Sequence, residues 1–316
     1  MIGIVLAAGL GTRLRPYTTF VSKAALPVAG VAIAVRVIEQ LRAAGGAERV
    51  IVIAQSPEHD VVPLIEAHAR RHGYEVAFGT QRRPRGSAHA LMHVPGREGL
   101  DEDVVIGACD NLYEPDELGR FVAQHRASGA DGTMAVLRAA PEGMGASSNV
   151  VVEGARVVRV IEKPAPEAVA SPFAGPQLYA FSPKVLSFLG AVSESPRGEF
   201  EFQDAIQAFI ADGARVGWFE FSGRATLTTP ADLLALNERF FKSAGETRQV
   251  SGATVVEPVV IDPGVEIGPG STVGPNAHLM RGCRVGRGAT VRHALVFPGA
   301  VVEDGASVEH ALVVPA

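Results

Sequence analysis

The sequence predicts a doubly wound α/β domain followed by a hexapeptide-repeat β-helix. Two periodicities and one change of composition carry that reading. Up to about residue 245, short β-branched apolar runs alternate with helical stretches, the pattern of an α/β sheet. After about residue 250 an aliphatic residue recurs every six positions. A polar stretch, Ser243–Ser251, separates the two and sets the domains at 1–245 and 251–316.

In the first part, Ile2–Leu6, Val50–Ile53, Val76–Phe78 and Val104–Ile106 are short and apolar enough to be buried parallel strands. Ile33, Val37, Ile38 and Leu41 share one helical face ahead of Gly45-Gly46. Further helices are expected over Pro57–His72 and Pro115–Ser128. From Thr133 the pattern is less regular. Val150–Val152 and Val157–Ile161 form an expected hairpin around Glu153-Gly154, and Phe202, Ile206, Phe209 and Ile210 form a helical stripe. The last helix has a marked start: Thr229 to cap, Pro230 in the first turn, Asp232 at the positive end.

In the second part, Val255, Ile261, Ile267, Val273, Leu279, Val285 and Val291 fall at six-residue steps. After a one-residue slip, Val296, Val302, Val308 and Val314 resume them. Three positions after these residues stand turn-prone or small ones: Gly264, Gly270, Asn276, Gly282, Gly288, Ala294, Gly299, Gly305 and Ala311. An aliphatic residue pointing inward from each short strand, with a small residue at the next corner, fills a narrow prism.

Composition excludes several classes. Apolar residues are 47% and charged residues 20%, as in ordinary globular proteins, and the net charge of -5 argues against a nucleic-acid binder. Cys109 and Cys283 are the two cysteines, so a disulfide framework is not indicated and the cytoplasm is expected. The N-terminus opens on strand-like Ile2–Leu6, which predicts no leader peptide, and no apolar run approaches the roughly 20 residues of a membrane helix.

Chemistry concentrates after the first strand, in Leu6-Ala-Ala-Gly-Leu-Gly-Thr-Arg-Leu-Arg-Pro-Tyr-Thr18 and Ser22-Lys-Ala-Ala-Leu-Pro-Val28. A strand, a glycine turn and nearby cations make an anion site: glycines let backbone N–H groups approach phosphate oxygens, and Arg13 and Lys23 supply charge. The wider stretch resembles the signature of the sugar-1-phosphate nucleotidylyltransferases. It is unlike a Rossmann dinucleotide site, which needs an acidic ribose partner, and unlike a P-loop, which needs G-K-[ST].

That resemblance implies a Rossmann-like nucleotidyltransferase domain with a doubly wound mixed sheet, then a left-handed parallel β-helix. It implies an enzyme that joins an NTP to a sugar 1-phosphate with release of pyrophosphate. Arg13 would hold the departing β- and γ-phosphates and Lys23 the α-phosphate. Leu6, Ala8, Gly9, Gly11 and Thr12 would line the nucleotide. Gln81-Arg-Arg-Pro-Arg-Gly-Ser87 is similar to the family's base-binding segment, so Gln81, Gly86 and Ser87 join them, with Ser87 also capping the next helix. The arginines 82, 83 and 85 either add charge near the phosphates or form a solvated loop.

Val104-Val-Ile-Gly-Ala-Cys-Asp-Asn111 looks like the family's G-D-N strand end. By that likeness Asp110 would bind Mg²⁺, a hard-oxygen role, and Asn111 would touch the sugar. Glu162 and Lys163 sit in an E-K-P motif, where Glu162 would accept from sugar hydroxyls and Lys163 pair with the sugar phosphate. Gly175, in Ala174-Gly-Pro-Gln-Leu-Tyr, and Glu199, in Arg197-Gly-Glu-Phe-Glu, would complete the sugar site.

The pattern fails in two places. Aligned on Pro230, Thr226 occupies the position of the family's second metal aspartate, and Gly30-Val-Ala-Ile lacks the usual lysine. Mg²⁺ then rests on Asp110, nucleotide oxygens and water, or another carboxylate such as Asp204 reaches in. The alternative is a catalytically weak or inactive regulatory homologue that binds nucleotide sugars. The base and the sugar, or cyclitol, are left open. Among the histidines, His68/His72 and His89/His93 have metal-compatible spacing without a third ligand. His278, His293 and His310 lie in the repeat, where acyltransferases place bases, but an assembly or regulatory role is the preferred reading. A homo-oligomer, formed through the β-helix, is expected, with no nucleic-acid or membrane partner.

Overall fold

Ten strands of one mixed sheet grow from the apolar runs of the first part. They are β1 (Ile2–Leu6), β2 (Arg49–Ala54), β3 (Glu75–Thr80), β4 (Val104–Ala108), β5 (Gly132–Arg138), β6 (Ser148–Glu153), β7 (Arg156–Glu162), β8 (Phe173–Gly175), β9 (Leu178–Phe181) and β10 (Val216–Phe221). Their order is β7-β6-β8-β5-β9-β4-β1-β2-β3, with β10 also paired to β5. The computed structural model describes residues 1–140, 144–145, 147–241, 247–250 and 252–316. The boundary expected at 243–251 lies largely outside the described residues. The chain divides into two units, Met1–Leu10 with Ala34–Ala225, and Gly11–Ile33 with Thr226–Ala316.

In the first unit β1 is parallel to both neighbours, with Ile4 opposite Ile51 and Ile106. These strands are covered on both faces, which is why their sequences are continuously apolar rather than alternating. β9 runs antiparallel to β4, with Tyr179 opposite Ile106, and makes the sheet mixed. The helices are α1 (Ile33–Gly45), α2 (Val61–His72), α3 (Ser87–Met92), α4 (Pro115–Ser128) and α5 (Phe202–Ala211). α2 starts four residues later than the sequence suggests. The His59 N–H bonds the Ser56 carbonyl in a turn, and Val62 bonds His59, so the helix begins only after Asp60. Ile4, Ile51, Ile106, Phe181 and Phe202 anchor one fully buried core. β1 has β4 on one side and β2 on the other, and their carboxyl ends align at Leu6, Ala108 and Ile53. That reversal of strand order makes the crevice where α/β sheets bind ligands.

In the second unit α6 (Pro230–Phe240) starts as expected. Thr229 Oγ1 accepts from the Asp232 N–H at 3.3 Å, and the Asp232 carboxylate accepts from the Thr229 N–H at 2.7 Å. From residue 253 the chain visits three short parallel sheets in strict rotation. Val255, Val273, Val291 and Val308 are in register in one sheet. Ile261, Leu279, Val296 and Val313 align in the second, and Ile267, Val285 and Val302 in the third. Val273, Leu279, Val285, Val291, Val296 and Val302 form its buried core.

Two expectations are corrected here. Val313, not Val314, is in register with Val296. The left-handed corners after Val291 and Val308 are His293 (φ 47) and His310 (φ 48), not Ala294 and Ala311. Both corners sit one residue early because the step from Val291 to Val296 and from Val308 to Val313 is five residues rather than six. The sequence count registers the first shortening as the slip before Val296 but not the second, because Val313 and Val314 are adjacent valines.

Candidate active site

The loop after β1 begins where the sheet requires it to. The Ala7 N–H bonds the Ile53 carbonyl and the Cys109 N–H bonds Leu6, at 2.9 and 3.1 Å. Leu6 is half-buried, Ala7 and Ala8 are buried, and Gly9 is exposed. A Cβ on Gly9 would meet nothing within 4 Å, so no internal contact requires glycine there and the space above its backbone is open. Asp110 follows β4 at the same sheet edge and is half-buried. Burial raises the pKa of the Tyr113 phenol near it; Arg224 opposes that shift and Asp110 adds to it.

Gly11, Thr12, Arg13 and Lys23 belong to the second unit. Gly11 (φ 62, ψ 38) turns the chain into a single 3-10 turn, Thr12–Leu14. A Cβ there would lie 2.9 Å from both Lys23 Cβ and Thr18 Cγ2, and Thr18 Oγ1 donates to the Gly11 carbonyl at 3.1 Å. The segment therefore folds back on itself around Gly11. Leu14 is buried as its anchor, while Thr12 and Arg13 are exposed. Thr226 Oγ1 is 3.2 Å from Thr228 Oγ1.

Gln81 is buried at the end of β3. Its Nε2 donates to the Gly86 carbonyl at 3.0 Å and meets His89 Nδ1 at 2.9 Å. Both amide hydrogens are then used inside the protein, and Oε1 is the group left to meet a ligand. Gly86 (φ 99) packs on the Phe200 backbone: a Cβ would stand 2.3 Å from its O and 2.7 Å from its N. The expected cap by Ser87 is not made. Gly86 is the cap residue of α3, and Ser87 Oγ accepts instead from the Phe202 N–H at 3.0 Å, tying α3 to α5. Arg82 and Arg83 are exposed, whereas Arg85 pairs with Glu194 at 2.8 Å and lies over the Phe200 ring.

The sugar-site candidates come together on one row of adjacent strands. Glu162 is opposite Ser148, and Ser148 is opposite Gly175. A Cβ on Gly175 would lie 2.3 Å from Ser148 Oγ, so any larger residue there would have to turn that buried hydroxyl aside. Lys163 (φ 45) turns back with its ammonium 3.8 Å from Glu162 and 3.3 Å from Glu199. Asn111 Nδ2 donates to the Pro176 carbonyl at 3.0 Å, as do the Tyr113 hydroxyl at 3.1 Å and Arg224 Nη1 at 3.0 Å. Three donors on one carbonyl hold the Gly175–Gln177 turn rigid.

Sequence reasoning did not assign Tyr113, Arg224, Arg197 or Glu201. Arg197 binds Glu201 at 2.8 Å, and with Glu162 and Glu199 this makes three carboxylates around two cations. The Arg-Gly-Glu-Phe-Glu motif contained the signal, since its two glutamates are two residues apart on an extended segment and so share a face. Asp204, the suggested substitute metal ligand, opens α5, and its charged neighbour is Arg197.

Glu162 is the unusual member. Its side chain is 5% exposed, and Oε2 is buried with no hydrogen-bond partner. Burial, then the Glu201 carboxylate, push its pKa from 4.5 up to about 7, against the pull of Lys163 and Arg197. The folded state therefore holds a proton that the unfolded chain releases near pH 4.5, and stability should fall as pH rises from about 4.5 to about 7, by about 2–3 kcal/mol. Glu162→Gln is expected to flatten that slope, read from urea midpoints across the interval. Parallel slopes in the two proteins would show that Glu162 does not hold the proton.

A glycine loop at the sheet's reversal point, beside an aspartate at the next strand end, defines a nucleotide-handling α/β enzyme. The family model described as Nucleotidyl transferase matches residues 2–238, and the chain belongs to that family. A second model, described as GMPPB C-terminal domain, matches residues 255–315. The chain is 30% identical over 234 residues to the UTP--glucose-1-phosphate uridylyltransferase of Haloferax volcanii, covering 73% of this chain and 93% of that one. It is 28% identical over 304 residues to the glucose-1-phosphate thymidylyltransferase of Streptomyces griseus, covering 94% and 81%. The solved structure of UDP-glucose pyrophosphorylase complexed with UDP-glucose superposes with a TM-score of 0.64 at 17% identity, over 76% of this chain and 98% of that one, which shows a shared fold.

Proposed function

We propose that the protein transfers a nucleoside monophosphate from an NTP to a sugar 1-phosphate, or a sugar-like phosphate, releasing pyrophosphate and forming an NDP-sugar. The observation that carries the sugar half is Glu162: a buried oxygen without a partner beside the Lys163 ammonium supplies an acceptor for a hydroxyl next to a cation for a phosphate. Asn111, Gly175 and Glu199 border that place, and the Oε1 of Gln81 reads the base beside Gly86 and Ser87. Leu6, Ala8 and Gly9, followed by Gly11 and Thr12, give backbone N–H groups to the nucleotide. Arg13 neutralises the β- and γ-phosphates and Lys23 the α-phosphate, so that the anionic sugar phosphate can attack in line. No protein nucleophile is needed.

Mg²⁺ fits this donor set. Asp110 offers one carboxylate, and Mg²⁺ commonly rests on one or two carboxylates plus substrate phosphates and water. Its charge would screen the phosphates. At Thr226 a hydroxyl stands where the family pattern has its second metal aspartate. The first 245 residues form the catalytic domain in this reading. The three rotating sheets of residues 251–316 form a left-handed β-helix through which copies of the chain assemble. The reaction runs in the cytoplasm, where nucleoside triphosphates are supplied. No helix among the described residues is long and apolar enough to cross a membrane.

The test is pyrophosphate release on incubation with Mg²⁺, each NTP and candidate sugar 1-phosphates. One pairing is expected to turn over, and Asp110→Asn should raise the Mg²⁺ concentration for half-maximal release about tenfold. Absence of release with every pairing would overturn the reading. An unchanged Mg²⁺ requirement would remove Asp110 from the metal.

A further inference from the structure

The second unit brings three ligand-type side chains to one point that nucleotidyl transfer does not use. Glu238, near the end of α6, places Oε1 3.0 Å from His310 Nδ1 and 3.6 Å from His293 Nδ1. One donor atom from each of the three lies within 4.8 Å of the others. The two imidazoles stack, with centroids 4.7 Å apart and planes 19° from parallel. They stand at the same corner on two successive turns of the repeat, after the paired strands Thr290–Arg292 and Ser307–Glu309, so one helix and two turns converge.

The backbone adds an independent reason to look here. His293 (φ 47) and His310 (φ 48) occupy left-handed corners stacked on that of Asn276 (φ 56), whereas Gly264, Gly270, Gly282, Gly288, Gly299 and Gly305 fill the other corners of the repeat. A residue with a Cβ is strained in that conformation, and glycine would remove the strain. The side chains do not serve the core, since they are 27% and 60% exposed. A single hydrogen bond to Glu238 needs only one imidazole, yet both present Nδ1 to the same carboxylate oxygen. Asn276 Nδ2 lies 3.2 Å from His293 Nδ1; with the amide donating, that nitrogen is unprotonated, and metal binding would exchange this bond for coordination.

We propose that Glu238, His293 and His310 bind a divalent transition metal of the Zn²⁺ type, clipping α6 to the repeat. Two imidazole nitrogens and one carboxylate suit Zn²⁺, Co²⁺ or Ni²⁺ and not Mg²⁺, which prefers all-oxygen shells. The remaining positions are open to water.

The full-length, tag-free protein, in excess Mg²⁺ and without nucleotide, is titrated with Zn²⁺ by calorimetry and with Co²⁺ by visible absorption. The expected result is one Zn²⁺ per chain, a Co²⁺ d–d band, and a rise in Tm on adding Zn²⁺. His310→Gly places at this corner the residue of Gly264, Gly270, Gly282, Gly288, Gly299 and Gly305, so the apo protein should be folded with an equal or higher Tm. It should bind Zn²⁺ at least about tenfold more weakly and lose the Co²⁺ band. Glu238→Gln should weaken binding likewise. Equal Zn²⁺ affinity in the parent and in His310→Gly, or no Co²⁺ band in the parent, overturns the proposal.

Discussion

Arg13→Ala is expected to lower kcat/KM by about 10²–10³-fold while leaving the fold untouched. The magnitude is that of removing one preorganised charge or donor from a transition state in which negative charge moves onto a leaving group. The separation from stability follows from exposure. Arg13 is exposed on a single 3-10 turn whose anchor is the buried Leu14, so its loss should shift stability by no more than about 0.5 kcal/mol. Arg13→Lys should recover part of the rate, since a point charge replaces a fork that grips two oxygens. Steady-state pyrophosphate release and urea unfolding on the same preparations give the two readouts. An Arg13→Ala enzyme with parental kcat/KM would remove this residue from the phosphate site.

Gly86→Ala is expected to destabilise the protein by roughly 3 kcal/mol or more. Two effects add: a φ of 99 is strained for any residue with a Cβ, and the new carbon would overlap the Phe200 backbone at 2.3 Å. Neither neighbour yields easily, because the Phe200 N–H bonds the Arg85 carbonyl and the Phe200 carbonyl accepts from Ala88. Gly9→Ala provides the contrast. Nothing lies within 4 Å of its would-be Cβ, so stability should barely change, and the expected loss is in nucleotide affinity alone. Urea denaturation separates the pair. A Gly86→Ala protein as stable as Gly9→Ala would mean that the α3 turn relaxes away from Phe200.

Several elements of both units were legible because their signals are local. Ile2–Leu6 and Val104–Ile106 are apolar on both faces, which only a covered parallel strand tolerates, and Thr229-Pro230 with Asp232 writes a helix start in four residues. Other features needed partners distant in sequence. Ser87 looks like a cap, but its hydroxyl is claimed by Phe202, 115 residues away. Gln81 has two kinds of hydrogen-bonding group in sequence, and the fold consumes its N–H pair on Gly86 and His89. The raised pKa of Glu162 depends on burial and on Glu201, neither of which a Glu-Lys-Pro motif can announce.

The repeat shows the same division. The sequence by itself determined that the last fifth of the chain winds aliphatic side chains inward at a six-residue beat, because burial selects residue type directly. The loop Leu6–Thr18 with Lys23 stands out in the same way, since glycine, arginine and lysine at close spacing are the residue types an anion site calls for. Only the tertiary structure decided that His293 and His310 hold the corners opposite Glu238, and that Gly175 yields its space to Ser148. Those facts arise where register and packing bring remote residues within a few ångströms, and no local composition encodes that distance.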